Sequence, residues 1–90
     1  MLYHISYDLN RPGKDYPDLY KAIKELGSWC HPLDSTWYVE TTNSASVVAD
    51  KLRANMDTSD SLVVTTAKAP GAWYGLSDEI STWFRDHLKQ

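Results

Sequence analysis

Ninety residues suffice for one domain and not for two, since a chain of this length buries only about two-thirds of its unfolded surface in a single core. With 42% hydrophobic and 12% aromatic residues the composition is that of a folded globule, which excludes a disordered or low-complexity chain. The net charge of −3 opposes the phosphate backbone of nucleic acid, so any such role requires a local basic patch or a bound cation.

Residues 2 to 9, Leu-Tyr-His-Ile-Ser-Tyr-Asp-Leu, are aromatic and β-branched without Gly or Pro, which predicts a first strand. Alternation assigns Tyr3, Ile5 and Tyr7 to a helix-packed face and Leu2, His4, Ser6 and Asp8 to the opposite one. Asn10 to Asp15 is turn chemistry, and Pro17 suits the first position of a helix running to Leu26. Leu19, Ala22, Ile23 and Leu26 form its apolar stripe, and Gly27 is expected to take the left-handed conformation after its last turn.

The stretch from Ser28 to Thr42 is too long for one strand of a small sheet and divides into a tight hairpin near Asp34-Ser35. Pro32 makes its first arm an edge or an irregular strand. Ser44 is a candidate N-cap for a helix to about Met56, with Ala45, Val48, Ala49 and Leu52 inward and Asp57 to Asp60 closing it. Leu62 to Ala67 reads as a fourth strand whose apolar run suits the middle of a sheet. After the aromatic loop Pro70 to Gly75, Ser77, Asp78 and Glu79 open a third helix carrying Ile80, Trp83, Phe84, His87 and Leu88 on one face.

The expected fold is therefore α+β, a single domain over 1–90, with a ferredoxin-like βαββαβ sandwich over about 2–67 and a C-terminal loop and helix over 68–90. The sheet face away from the first two helices needs a cover, which either the third helix or a second copy in a homodimer supplies. The lone Cys30 cannot form an internal disulfide and fits a reducing compartment. No basic segment precedes an apolar stretch at the N-terminus, and no window reaches the roughly 20 apolar residues of a membrane span, so the expectation is a cytoplasmic chain outside the membrane.

Phosphate-loop, dinucleotide-fingerprint, zincin and nucleophile-elbow motifs are absent from the sequence. The notable feature is a carboxylate, Asp8, at the end of the first strand. Ser6-Tyr7-Asp8-Leu9, the Leu26-Gly27 step after the first helix and Asp34-Ser35-Thr36-Trp37 in the hairpin resemble the CRISPR-associated Cas-two proteins and the related virulence-associated protein D ribonucleases. The opening from Tyr3 to Asn10 also resembles small bacterial and phage proteins labelled SinR family, although nothing in the chain reads as a helix-turn-helix repressor.

The resemblance implies a homodimer in which two copies of Asp8 hold Mg²⁺ or Mn²⁺ for phosphodiester cleavage, RNA rather than DNA, with Ser35 as a hydrogen-bond donor near the cleft and Tyr7 bracing the strand. Read as residues alone, Asp8 equally serves as an acceptor for the turn at 10–13, and Ser35 as a hydroxyl satisfying backbone. His4, His31 and His87 read as packing or edge residues. Arg11 and Lys14, with Lys21 and Lys24, are the candidate basic contacts, diluted by Asp15, Asp18 and Glu25. Among the aromatic residues, Trp73 and Tyr74 are the candidates for binding RNA or a partner. The competing function is a non-catalytic protein-interaction module of a toxin–antitoxin, phage or host-defence system. A ligand-sensing domain ranks behind both, because the chain has no glycine-rich effector loop.

Overall fold

Alternation along the first strand decides which layer each residue enters. In the computed structural model, which describes residues 1–10 and 16–89, β1 (Leu2–Asp8) is followed by α1 (Pro17–Glu25), β2 (Ser28–Leu33), β3 (Thr36–Glu40), α2 (Ala45–Arg53), β4 (Ser61–Thr66) and α3 (Asp78–His87). Tyr3, Ile5 and Tyr7 point inward, where Leu19 and Ile23 of α1, Trp37 and Val39 of β3, and Val48 and Leu52 of α2 close the core around them. Each helix thus buries one stripe against one sheet face, as amphipathic spacing requires.

The strands form a single sheet in the order β2-β3-β1-β4, antiparallel throughout. This is an α+β architecture with a four-stranded sheet and three helices, compatible with a ferredoxin-like arrangement. The β2–β3 turn falls at Asp34-Ser35 as expected, and the ladder is irregular between Cys30 and Leu33, where Pro32 lacks an N–H to donate. Pro17 begins α1 without a side-chain cap. The Ser44 hydroxyl accepts from the Val47 N–H at 3.3 Å, so the predicted cap forms, and Ser77, expected to open α3 with Asp78 and Glu79, caps it by accepting from the Ile80 N–H at 3.2 Å.

Two expectations are corrected. β4 lies at the edge rather than in the middle, because β1 pairs with both β3 and β4 and takes the central place. Its apolar run is half outward-facing, with Val63 55% exposed. Gly27 is not in the left-handed region, where among the described residues only Gly75 stands. A β-carbon at Gly27 would instead run into the Glu40 carbonyl oxygen of β3, so glycine is required for close backbone approach.

The third helix settles on its own chain's sheet, on the face opposite α1 and α2. Phe84, 5% exposed, meets the ring of Tyr38 edge-on at 4.9 Å and that of Trp73 at 4.9 Å. Directional bonds fasten the end of the helix to the start of β2. His87 donates from Nδ1 to the Trp83 carbonyl at 2.9 Å, and its Nε2 is hydrogen-bonded to the Ser28 hydroxyl at 3.3 Å. The Trp83 indole donates to the same hydroxyl at 3.1 Å.

Candidate functional site

β1 ends on Asp8, which pairs with Ser61 of β4 and is exposed at the rim of a shallow recess of about 100 Å³ formed with Ser6, Ser61 and Val63. The neighbouring Tyr7 is 4% exposed and ties the β2–β3 turn to the end of β1. Its backbone N–H donates to the Ser35 carbonyl at 3.2 Å, its hydroxyl donates to the Asp34 carbonyl at 3.3 Å, and that hydroxyl accepts from the Trp37 indole at 2.9 Å. Burial is the main cause that pushes the Tyr7 phenol above its ordinary pKa, against the Trp37 bond that lowers it. Tyr7 therefore stays protonated at neutral pH and acts as a strut that positions its neighbours.

Ser35 is exposed at the tip of the turn, and its carbonyl accepts the bond from Tyr7. The structure thus gathers Asp8, Tyr7 and Ser35 at one end of the sheet. Arg11 and Lys14, the candidate basic contacts, lie outside the described residues. Among the described residues no three His, Cys, Asp or Glu side chains come together as a metal site. The Asp8 carboxylate supplies the right oxygen chemistry for Mg²⁺ or Mn²⁺ but, in one chain, only part of a coordination shell.

A second carboxylate at this end of the sheet was not evident from the sequence. Asp60 Oδ1 accepts from the Asn10 N–H at 2.7 Å and the Tyr16 hydroxyl at 3.0 Å, while Oδ2 accepts from the Asp57 N–H at 2.8 Å. Burial pushes its pKa up, but the donors from Asn10, Asp57 and Tyr16 outweigh it and hold the carboxyl below its ordinary range. With its oxygens so engaged, Asp60 clamps the exit of β1 to the entry of β4. The local signal was the Asp57-Thr58-Ser59-Asp60 turn, which gives the Asp57 donor, but Asn10 and Tyr16 are remote in sequence.

The opposite sheet face carries a different feature, a groove of about 540 Å³ between the sheet, the segment 66–76 and α3. His4 and Tyr38 rise from its floor, their rings 5.1 Å apart. Trp73, half-buried, forms a wall: its indole donates to the Ser81 hydroxyl at 3.0 Å and its ring lies on Phe84. Tyr74, the next residue, is 97% exposed at the rim. The two aromatics paired by the sequence reading therefore have separate roles, Trp73 in the structure and Tyr74 on the surface.

The other histidines are packing residues, as expected. His31 stacks on Trp37 with ring centroids 3.8 Å apart and donates from Nε2 to the Asp34 carbonyl at 3.1 Å. No helix among the described residues is long and apolar enough to cross a membrane. No family model, no curated protein and no solved structure matches this chain.

Proposed function

We propose that the chain acts as a cytoplasmic, ferredoxin-like homodimer of the Cas-two kind, a metal-dependent endoribonuclease in which two copies of Asp8 hold Mg²⁺ or Mn²⁺. The observation that carries this reading is the position of Asp8. It is exposed at the end of the central strand, on the face away from α1 and α2, beside a turn held rigid by Tyr7. That face is only partly covered by α3, and the strip formed by Ser6 and Asp8 with their partners Val63 and Ser61 is free to meet a second copy.

A divalent ion held there supplies charge neutralisation at a phosphodiester and a more acidic water. The chain contributes the carboxylate that binds it, the Ser35 hydroxyl as a donor toward a phosphate oxygen, and Tyr7 and Trp37 as the frame that fixes the turn carrying Ser35. Single-stranded RNA suits an acidic chain better than duplex DNA, whose denser phosphate charge demands more compensating cations.

The test is cleavage of labelled single-stranded RNA, duplex RNA and duplex DNA by wild-type protein and Asp8→Ala, in Mg²⁺, Mn²⁺ or EDTA. Cleavage of single-stranded RNA is expected with either metal, and is expected to fall to background in EDTA and in Asp8→Ala. Absence of cleavage by the wild type, or equal cleavage by Asp8→Ala, overturns the reading.

A second reading, a non-catalytic interaction module, is favoured by one observation: Tyr74 at 97%, Leu33 at 60% and Val63 at 55% exposure put large apolar groups in water. A stable protein complex recovered equally with and without EDTA separates that reading from a nuclease.

A further inference from the structure

We infer that the groove between the sheet and α3 is a binding site for a nucleotide unit, with a flat base against its aromatic wall and a phosphate at Lys68. The site is distinct from Asp8, and the inference goes beyond the nuclease reading without depending on it. Its volume of about 540 Å³ lies within the range of small-ligand sites, roughly 300–1,000 Å³. Three properties of the lining specify the ligand.

The first is charge. The chain carries 12 acidic residues against 9 basic ones, yet among the described residues no Asp or Glu lines the groove while Lys68 does. An anion entering there meets a cation and no carboxylate.

The second is unspent hydrogen-bonding capacity. Among the described residues Lys68, the Tyr38 hydroxyl and the His4 ring nitrogens make no hydrogen bond or ion pair, although all three line the same groove. Burial first, and the neighbouring Cys30 second, push the Tyr38 phenol above its ordinary pKa, so it remains a donor. Such convergent donors over an aromatic floor match the polar edge of a base.

The third is the aromatic surface itself. Trp73 is locked by Ser81 and Phe84 as a preformed wall, and Tyr74, next to Gly75 at φ +77°, projects 97% exposed from the rim. A tyrosine in that position has a free ring face for stacking, and base–aromatic stacking is tolerant of base identity. The same chemistry fits a free mononucleotide or one unit of a single strand, which the experiment distinguishes.

Binding is measured in EDTA, so that cleavage cannot intervene, with uridine 5′-monophosphate, uridine and a fluorescent oligouridylate as probes. The proteins compared are wild type, Tyr74→Ala, Lys68→Gln and Asp8→Ala. Tyr74 and Lys68 are exposed, so their substitution leaves the fold intact, which circular dichroism checks. Tyr74→Ala is expected to weaken binding roughly tenfold. Lys68→Gln is expected to weaken the phosphorylated probes, leave uridine unchanged, and flatten the salt dependence of the strand by about 0.7 in log–log slope.

Binding of the monophosphate with this dependence assigns the site to free nucleotides, and binding of the strand alone assigns it to RNA. Lack of binding by any phosphorylated probe at millimolar concentration, or affinities indifferent to both Tyr74 and Lys68, overturns the inference. Asp8→Ala is expected to bind as wild type in EDTA; a wild-type protein that binds these probes but cleaves no RNA with Mg²⁺ or Mn²⁺ would remove the nuclease reading and leave this site standing.

Discussion

The two faces of the sheet are built on different principles. On the side of α1 and α2, Ile5, Leu19, Ile23, Val39, Val48 and Leu52 are 0% exposed, a continuous apolar layer. On the side of α3 the cover is held by a few rings around Phe84 and by hydrogen bonds converging on Ser28, and it leaves an open groove. Non-directional burial carries the fold on the first face. The second is free to hold exposed polar and aromatic groups because it is not asked to carry that load.

The largest test of this contrast is a pair of aromatic truncations. Trp37→Ala empties a site 2% exposed and removes the donor to Tyr7, so a loss of roughly 3–5 kcal/mol is expected in urea unfolding. Phe84→Ala, equally an aromatic deletion, opens onto the groove, where neighbouring rings and water take up the space, and about half that loss is expected. Equal losses would mean that the α3 face carries as much of the fold as the α1–α2 face.

A somewhat smaller effect probes the junction of the two faces. At Gly27 an added β-carbon meets the Glu40 carbonyl, a backbone atom that moves only if the β2–β3 ladder shifts. Gly27→Ala is expected to cost about 1–3 kcal/mol by this overpacking. Because the register of β2 also sets Ser28, the anchor of α3, the variant should loosen the α3 cover as well, seen as greater amide exchange in α3 than in α2. Unchanged stability would show that the edge strand yields freely.

What was legible in the sequence follows the same division. The faces of β1, the break at Asp34-Ser35, the irregularity at Pro32, the cap at Ser44 and the opening of α3 at Ser77 are local, set by side-chain period, turn chemistry and one missing N–H, and they emerge as expected. Strand order is a long-range choice. The apolar run at Leu62–Val64 read as a central strand, and only the pairing of β1 with both β3 and β4 puts it at the edge. The same holds for Gly27, whose reason lies on β3, and for Asp60, two of whose donors, Asn10 and Tyr16, lie far off in sequence. Of the candidate site, Asp8 and Tyr7 were legible as a strand end. That Tyr7 is the member that fixes the turn, and that Tyr74 rather than Trp73 is the exposed ring, required the tertiary contacts.

The smallest effect reads the α3 cover directly, through the one cysteine of the chain. Cys30 pairs across the ladder with Tyr38 beneath the α3 face and is 4% exposed. Burial pushes its thiol up to about 11 from an ordinary 9.0, leaving about a hundredfold fewer thiolates near pH 8. Labelling by a disulfide reagent should therefore be at least about a hundredfold slower in the folded protein than in urea, since access is restricted as well. Ser28→Ala removes the shared acceptor and donor that hold Trp83 and His87, worth about 1 kcal/mol, and is expected to speed labelling by roughly fivefold. If α3 opens as a local unit, that rate should be nearly independent of low urea, whereas labelling through global unfolding rises steeply with it. A steep urea dependence in Ser28→Ala would show that the cover and the core unfold together, and that the two faces of the sheet form one cooperative structure despite their different packing.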